Sequence, residues 1–183
     1  MKNEMQDDIL RVLFTEEEIR ERVRAIGAQI AGDYQGKTPL FLGVLKGCFV
    51  FMADLMRAVP VQCNMDFMAV SSYGNGTSST GAVRITKDLS RDIEGQDLII
   101  VEDILDSGVT LSYLTKYLGN RKPASIRIVT LLDKPERRKA NVHPDYFGFI
   151  VPDEFVVGYG LDYAERYRNL PYIGVLKPEI YTH

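Results

Sequence analysis

Leu98-Ile99-Ile100-Val101-Glu102-Asp103-Ile104-Leu105-Asp106-Ser107-Gly108-Val109-Thr110-Leu111 is the stretch that decides how this chain folds. Its four leading apolar residues read as a short strand buried on both faces. They run straight into two adjacent carboxylates. A third acid, a serine and a glycine follow, and a helix is expected from about Thr110. A buried strand that gives way to a turn and then a helix is half of a strand–helix–strand unit, the building block of parallel sheets.

The flanking sequence repeats this alternation. Upstream, Leu40 to Leu45 reads as a strand, Phe49 to Arg57 as a helix and Met65 to Val70 as a second strand. Downstream, strands are expected at Ile126 to Leu132, Phe147 to Ile150, Phe155 to Val157 and Ile173 to Leu176. Near the N-terminus, Thr15-Glu16-Glu17-Glu18 has the form of a capping box. Ile19, Val23, Ile26 and Ile30 follow it at helical spacing, and Gly36 and Pro39 close the helix. The segment from Ser71 to Ser90 differs in kind. It is polar and glycine-bearing, with a hairpin signal at Asn75-Gly76 and an alternating arm at Val83-Arg84-Ile85. A loop of that length in a compact domain is functional or disordered. The expected architecture is a single α/β domain, 1–183, with a twisted parallel core sheet flanked by helices and a long mobile β-hairpin loop at about 71–90.

Bulk properties agree with one globular domain. The chain has 183 residues, 45% hydrophobic and 26% charged, in the ordinary range for a globular protein. A net charge of -3 argues against nucleic acid as a partner, since phosphate binding needs a concentrated basic face. Cys48 and Cys63 lie in apolar surroundings and read as packed, reduced thiols, and with only His143 and His183 beside them a structural zinc site is not expected. Met1 to Asp8 is acidic rather than basic-then-apolar, so it does not read as a secretory signal. No apolar run approaches the roughly 18 residues of a membrane span. The expected setting is the cytoplasm.

Chemistry concentrates at residues 102–110. In open α/β sheets, ligands bind beyond the carboxyl ends of the strands. Neighbouring carboxylates repel one another unless hydroxyl donors or cations satisfy them. A ribose offers vicinal hydroxyls, and Mg²⁺ offers charge. Successive amides at the start of a helix, with Gly108 permitting close approach and Ser107 and Thr110 adding hydroxyls, can cradle a phosphate. The plainer alternative is an acidic surface turn in which Asp106 or Ser107 caps the next helix. Two other glycine motifs fail. Gly36-Lys37-Thr38 has Ala31 where a phosphate loop needs its first glycine, and Gly74-x-Gly76 has Ser79 where a third glycine belongs.

Val101 to Thr110 resembles the phosphoribosyl-pyrophosphate motif of the type I phosphoribosyltransferases, and further segments resemble the branch of that family acting on hypoxanthine and guanine. Val44-Leu45-Lys46-Gly47 is similar to its pyrophosphate loop, Ser72-Tyr73 to the start of its mobile loop, and Leu132-Asp133-Lys134 to its base-reading lysine segment. Pro152 to Tyr163 and Arg168-Asn169-Leu170-Pro171 are similar to its C-terminal hood, about 145–183. The likeness runs from about Thr15 onward. It implies transfer of 5-phosphoribosyl from phosphoribosyl pyrophosphate to N9 of a 6-oxopurine, with Mg²⁺, in a homodimer or homotetramer.

The resemblance also implies roles. Glu102 and Asp103 would hold the ribose hydroxyls, directly or through Mg²⁺, and Asp162 would reach the metal as well. Asp106 would sit at purine N7 as the catalytic carboxylate. Ser107, Gly108, Val109 and Thr110 would hold the 5′-phosphate. Val109 departs from the Lys or Arg frequent in the family, but keeps the amide. Lys134 would donate to O6, Phe155 would stack on the base and the Val156 backbone would read its edge. Lys46, Gly47 and Arg168 would bind pyrophosphate, the peptide before Lys46 can be cis in the family, and Ser72 and Tyr73 would close over the reacting centre. Each also has an ordinary structural reading: solvated acids, a surface lysine, a hydrophobic strand, a surface ion pair. Two other functions share the motifs, a regulatory nucleotide sensor that contacts nucleic acid and a transferase for xanthine. The intact Asp106, Lys134 and Ser72-Tyr73 favour catalysis over sensing.

Overall fold

The computed structural model describes residues 4–72 and 83–182. A short helix, α1 (Glu4–Asp7), precedes strand β1 (Ile9–Phe14) and the long helix α2 (Glu16–Asp33). Then come β2 (Leu40–Leu45), α3 (Phe49–Ala58), β3 (Asn64–Ser72), β4 (Val83–Lys87) and β5 (Asp97–Leu105). After them lie α4 (Val109–Gly119), β6 (Ser125–Asp133), β7 (Tyr146–Ile150), β8 (Val156–Val157), β9 (Ile173–Leu176) and α5 (Pro178–Tyr181). The capping box is present: the Glu18 amide donates to Thr15 Oγ1 at 3.3 Å and the Thr15 amide donates to Glu18 Oε2 at 2.8 Å.

Six strands make the main sheet in the order β4-β3-β2-β5-β6-β7. Every neighbouring pair is parallel except β3–β4. The α/β expectation holds, and its reason is visible in the side chains. Along β5, Ile99 and Val101 join the core beneath α2 and α3, while Leu98 and Ile100 join the core beneath α4. β2 divides in the same way, with Phe41 on one face and Leu40, Leu42 and Val44 on the other. A strand alternates faces at every residue, so a strand covered on both sides must be apolar throughout.

β5 is longer than the sequence reading gave it. It does not end at Glu102 but runs on to Leu105, because its two neighbours stop at different places. Pairing with β2 ends at Gly43 and Val101, whereas pairing with β6 continues through Ile104–Leu132 and Leu105–Asp133. The carboxylates therefore stand on a strand held from one side and open on the other.

The β3–β4 pair is the base of the polar arm. Asp66 anchors it, accepting hydrogen bonds from the amides of Phe67 (2.7 Å) and Ser90 (2.8 Å) and pairing with Lys87 at 3.4 Å. Burial opposes its charge, but these donors outweigh burial and hold its carboxyl below the usual range. Tyr73 and the Asn75-Gly76 turn lie outside the described residues.

A second, three-stranded sheet, β1-β9-β8, forms the hood. Two features differ from the sequence reading. β7 belongs to the edge of the main sheet, so the hood begins after it. β1 supplies the hood's other edge, pairing antiparallel with β9. Stacking of Phe14 on Phe149, with ring centroids 4.0 Å apart, joins the two sheets.

Candidate active site

The site lies where the carboxyl ends of β2, β5 and β6 meet the hood. The loop after β2 contributes Lys46 and Gly47, and the Leu45–Lys46 peptide is cis. Gly47 is wedged between the acids and the hood. A Cβ there would fall 1.7 Å from Asp103 Oδ2, and a Cβ on Gly160 would fall 2.2 Å from the Gly47 carbonyl oxygen. A side chain at Gly47 would have to displace the Asp103 carboxylate, and one at Gly160 would run into backbone. Lys46 Nζ reaches across to Glu165 Oε1 at 3.0 Å, an exposed pair that spans the same crevice.

Glu102 and Asp103 are half-buried. Burial, and then the charge of Asp103, pushes the Glu102 carboxyl well above its usual range. Burial also raises Asp103, to about 6, against the opposing pull of the Ile104 amide (2.9 Å) and Arg168. Both sites are short of positive charge. Cys48, buried behind them, has its thiol pushed up by burial and by the two acids, which makes it inert.

Asp106 sits past the end of β5. Arg137 Nε pairs with its Oδ1 at 2.8 Å. Arg137 also holds Asp153 Oδ1 at 2.9 Å. Helix α4 starts at Val109, preceded by Gly108 in the left-handed region (φ 77°). Gly108 itself has no side chain to cap the helix, and the Val109 amide instead donates a long hydrogen bond, 3.5 Å, to Ser107 Oγ. The opening amides of the helix have no intrahelical partner. Gly108 is required twice, for its φ and because a Cβ would lie 2.5 Å from Val142 Cγ1.

The segment after β6 holds this loop from behind. The partly buried Arg138 donates to the carbonyls of Asp106 (3.1 Å), Leu105 (3.4 Å) and Val142, and pairs with Asp133. The amides of Lys139 and Ala140 both donate to the Ser107 carbonyl, at 2.9 and 3.1 Å. Lys134 is buried, with Nζ donating to the Glu154 carbonyl at 2.6 Å. Burial lowers its pKa, while Asp106 and Asp153 favour the ammonium. A cavity of about 420 Å³ brings Asp106, Lys134, Phe155, Val156 and Asp162 together. Arg168 donates to the Gly160 carbonyl (2.8 Å) and pairs with Asp162 (2.9 Å), and its buried Nε has no partner among the described residues. Behind Arg168, a larger cavity of about 640 Å³ lies between α2, α3 and the hood, away from the acids.

Ser72 ends β3, and Tyr73 lies outside the described residues. Four residues escaped sequence reasoning: Arg137, Arg138, Glu165 and Tyr181. The adjacent arginines just after Lys134 were the one available signal, and their partners lie about thirty residues upstream, on the β5–α4 turn.

A family model described as phosphoribosyl transferase domain matches residues 13–164. The chain is 59% identical over 177 residues to a hypoxanthine-guanine phosphoribosyltransferase of Bacillus subtilis (strain 168), covering 97% of this chain and 98% of that protein. It is 57% identical to a bifunctional TilS/HprT protein of Listeria monocytogenes serotype 4b, where it spans only 28% of the relative's length. A crystal structure of a hypoxanthine phosphoribosyltransferase from Staphylococcus aureus superposes with a TM-score of 0.96 at 54% identity, each chain covered in full.

Proposed function

The chain belongs to the phosphoribosyl transferase family, and from its site we propose a purine-salvage enzyme that moves 5-phosphoribosyl from phosphoribosyl pyrophosphate to N9 of hypoxanthine or guanine. The products are IMP or GMP and pyrophosphate. The observation that carries this reading is the convergence of Asp106, Lys134 and Phe155 on one cavity of about 420 Å³, adjoining the acids of β5. That volume suits a bicyclic base.

The chain's residues divide the work. The opening amides of α4, with Ser107 and Thr110, hold the 5′-phosphate. Glu102 and Asp103 accept hydrogen bonds from the ribose hydroxyls. Lys46, the Gly47 amide and the unpartnered Nε of Arg168 hold pyrophosphate. Lys134 has three donors and one is committed to Glu154, so the others are free for purine O6. An ammonium there favours an oxo group and rejects the amino group of adenine. The Asp106 carboxylate takes the N7 proton as N9 attacks C1′ of the ribose. The N9–C1′ bond forms, the bond from C1′ to pyrophosphate breaks, and the carboxylate stabilises positive charge developing between them.

Mg²⁺ fits the acids. No group of three or more metal-type side chains occurs among the described residues. Mg²⁺ is commonly bound by one or two carboxylates together with substrate oxygens, and Glu102 and Asp103 are two oxygen-donor acids lacking positive charge, with Asp162 nearby. When bound, Mg²⁺ supplies charge that neutralises the pyrophosphate leaving group.

No described helix is long and apolar enough to cross a membrane. A cytoplasmic setting suits the two free cysteines. The exposed Phe49 at the start of α3, beside Lys46, offers an apolar face for a homodimer or homotetramer. An absorbance assay with phosphoribosyl pyrophosphate and Mg²⁺ tests the function. Turnover of hypoxanthine and guanine with adenine inert is expected, and inertness toward every base would refute it.

A further inference from the structure

Building on the base site just described, we propose that Tyr181, from the C-terminal helix α5, is a positioning residue for the purine: it braces one face of Phe155 and leaves the other to the base. The Tyr181 ring stacks on Phe155 with centroids 4.9 Å apart and planes 25° from parallel. Tyr163 meets the edge of Phe155 at 5.5 Å and 90°, and meets Tyr181 at 6.4 Å. The three rings form a closed cluster, and two of them, Phe155 and Tyr181, line the cavity that holds Asp106 and Lys134.

The chain path makes this arrangement. The Leu176 amide donates to the Phe155 carbonyl at 2.8 Å, so β9 leaves the hood beside Phe155. Lys177 is then fastened to the N-terminal segment, its amide donating to Asp8 O at 3.0 Å and its Nζ to Asp7 O at 2.6 Å. Pro178 starts the single turn of α5, and Ile180 and Tyr181 pack back on the hood cluster around Val157 and Tyr167.

Phe155 nevertheless remains 37% exposed. One face is taken by Tyr181 and one edge by Tyr163, yet Phe155 still lines the cavity, where a planar ligand can meet it. A ring held in place on one side loses little freedom when a base stacks on the other, and this preorganisation favours binding. The opposite arrangement, Tyr181 lying where the base must go, carries the opposite sign. Removing the ring would then tighten base binding.

The test compares wild type with Tyr181→Ala and Tyr181→Phe in steady-state assays, varying hypoxanthine and phosphoribosyl pyrophosphate separately, with thermal unfolding to show that each variant folds. Tyr181→Ala is expected to raise the KM for hypoxanthine about three- to tenfold, the worth of an ordinary aromatic pair. The KM for phosphoribosyl pyrophosphate should stay within about twofold, and Tyr181→Phe should restore wild-type behaviour because the ring, not the hydroxyl, does the bracing. An unchanged or lowered hypoxanthine KM, an equal rise in both constants, or failure of Phe to rescue would overturn the proposal. An active wild type with an unmoved KM removes the brace alone, whereas a wild type inert toward every base removes the functional reading and the brace with it.

Discussion

Gly47 and Asp103 touch so closely that a methyl group on the glycine would lie 1.7 Å from the carboxylate oxygen. The flexible partner is the acid, which the site needs in place. Gly47→Ala should therefore leave a folded protein, destabilised by about 1–3 kcal/mol as overpacked sites usually are. Its kcat/KM for phosphoribosyl pyrophosphate should fall at least tenfold. Denaturation and steady-state kinetics on the same preparation check both halves.

Asp106 differs in having no such crowding. Replacing it with Asn keeps the shape and removes the proton acceptor. A fall in kcat of about 10²–10⁴, the usual worth of general acid–base help, is expected with the affinity for phosphoribosyl pyrophosphate little changed. A kcat within about twofold of wild type would show that the N7 proton goes elsewhere.

Lys134→Ala should erode discrimination by base. The ratio of kcat/KM for hypoxanthine over adenine is expected to drop, chiefly through the hypoxanthine term. An unchanged ratio would place the reader of O6 at another residue.

The acids of β5 carry a pH signature. Asp103 has a folded carboxyl pushed up from 3.8 to about 6, so through that window the folded state keeps a proton that the unfolded chain releases. Stability contributed by this site therefore falls as pH rises from 3.8 to about 6, and stays low above it. Asp103→Asn should accordingly raise Tm at pH values above about 7 and lose that advantage below the unfolded value. Its activity should drop. Mg²⁺ with phosphoribosyl pyrophosphate should raise the wild-type Tm more than the variant's, because the bound charge relieves the same repulsion. Differential scanning across pH, with and without these ligands, gives the answer.

Arg138 ties three carbonyls and one carboxylate behind the phosphate-binding turn. Lysine keeps the charge but cannot fork between them. Arg138→Lys should raise the KM for phosphoribosyl pyrophosphate about tenfold or more, in keeping with the loss of charged hydrogen bonds that hold the turn. The KM for the base should change much less. Arg138→Ala, which strands a buried Asp133, should cost about 3–5 kcal/mol of stability.

Much of this was legible in the chain. The capping box at Thr15 and Glu18, the strand at Leu40 to Leu45 and the one at Ile173 to Leu176 depend on local patterns, and the structure reproduces them. The end of β5 was not legible, because it is set by where β2 and β6 stop pairing rather than by any residue in β5 itself. β1 was missed because Leu10 and Val12 are exposed and its burial does not alternate. Asp106 and Lys134 were legible because a strand end is a fixed address in a parallel sheet. Arg137, Arg138 and Tyr181 act on residues far away in sequence, and basic or aromatic side chains near a turn or a chain end carry no local mark of such partners.

The hood is closed by a strand pair whose members, Ile9 to Phe14 and Ile173 to Leu176, come from opposite ends of the sequence. During synthesis the main sheet's strands emerge first, and each finds its neighbours within a few dozen residues. The hood must wait until β9 has left the ribosome and can capture β1, which until then has no sheet to join. A nascent chain thus acquires its phosphate-binding turn well before it acquires a wall for the purine. Recognition of the base therefore depends on two strands far apart in sequence, and loss of either β1 or β9 would remove it first.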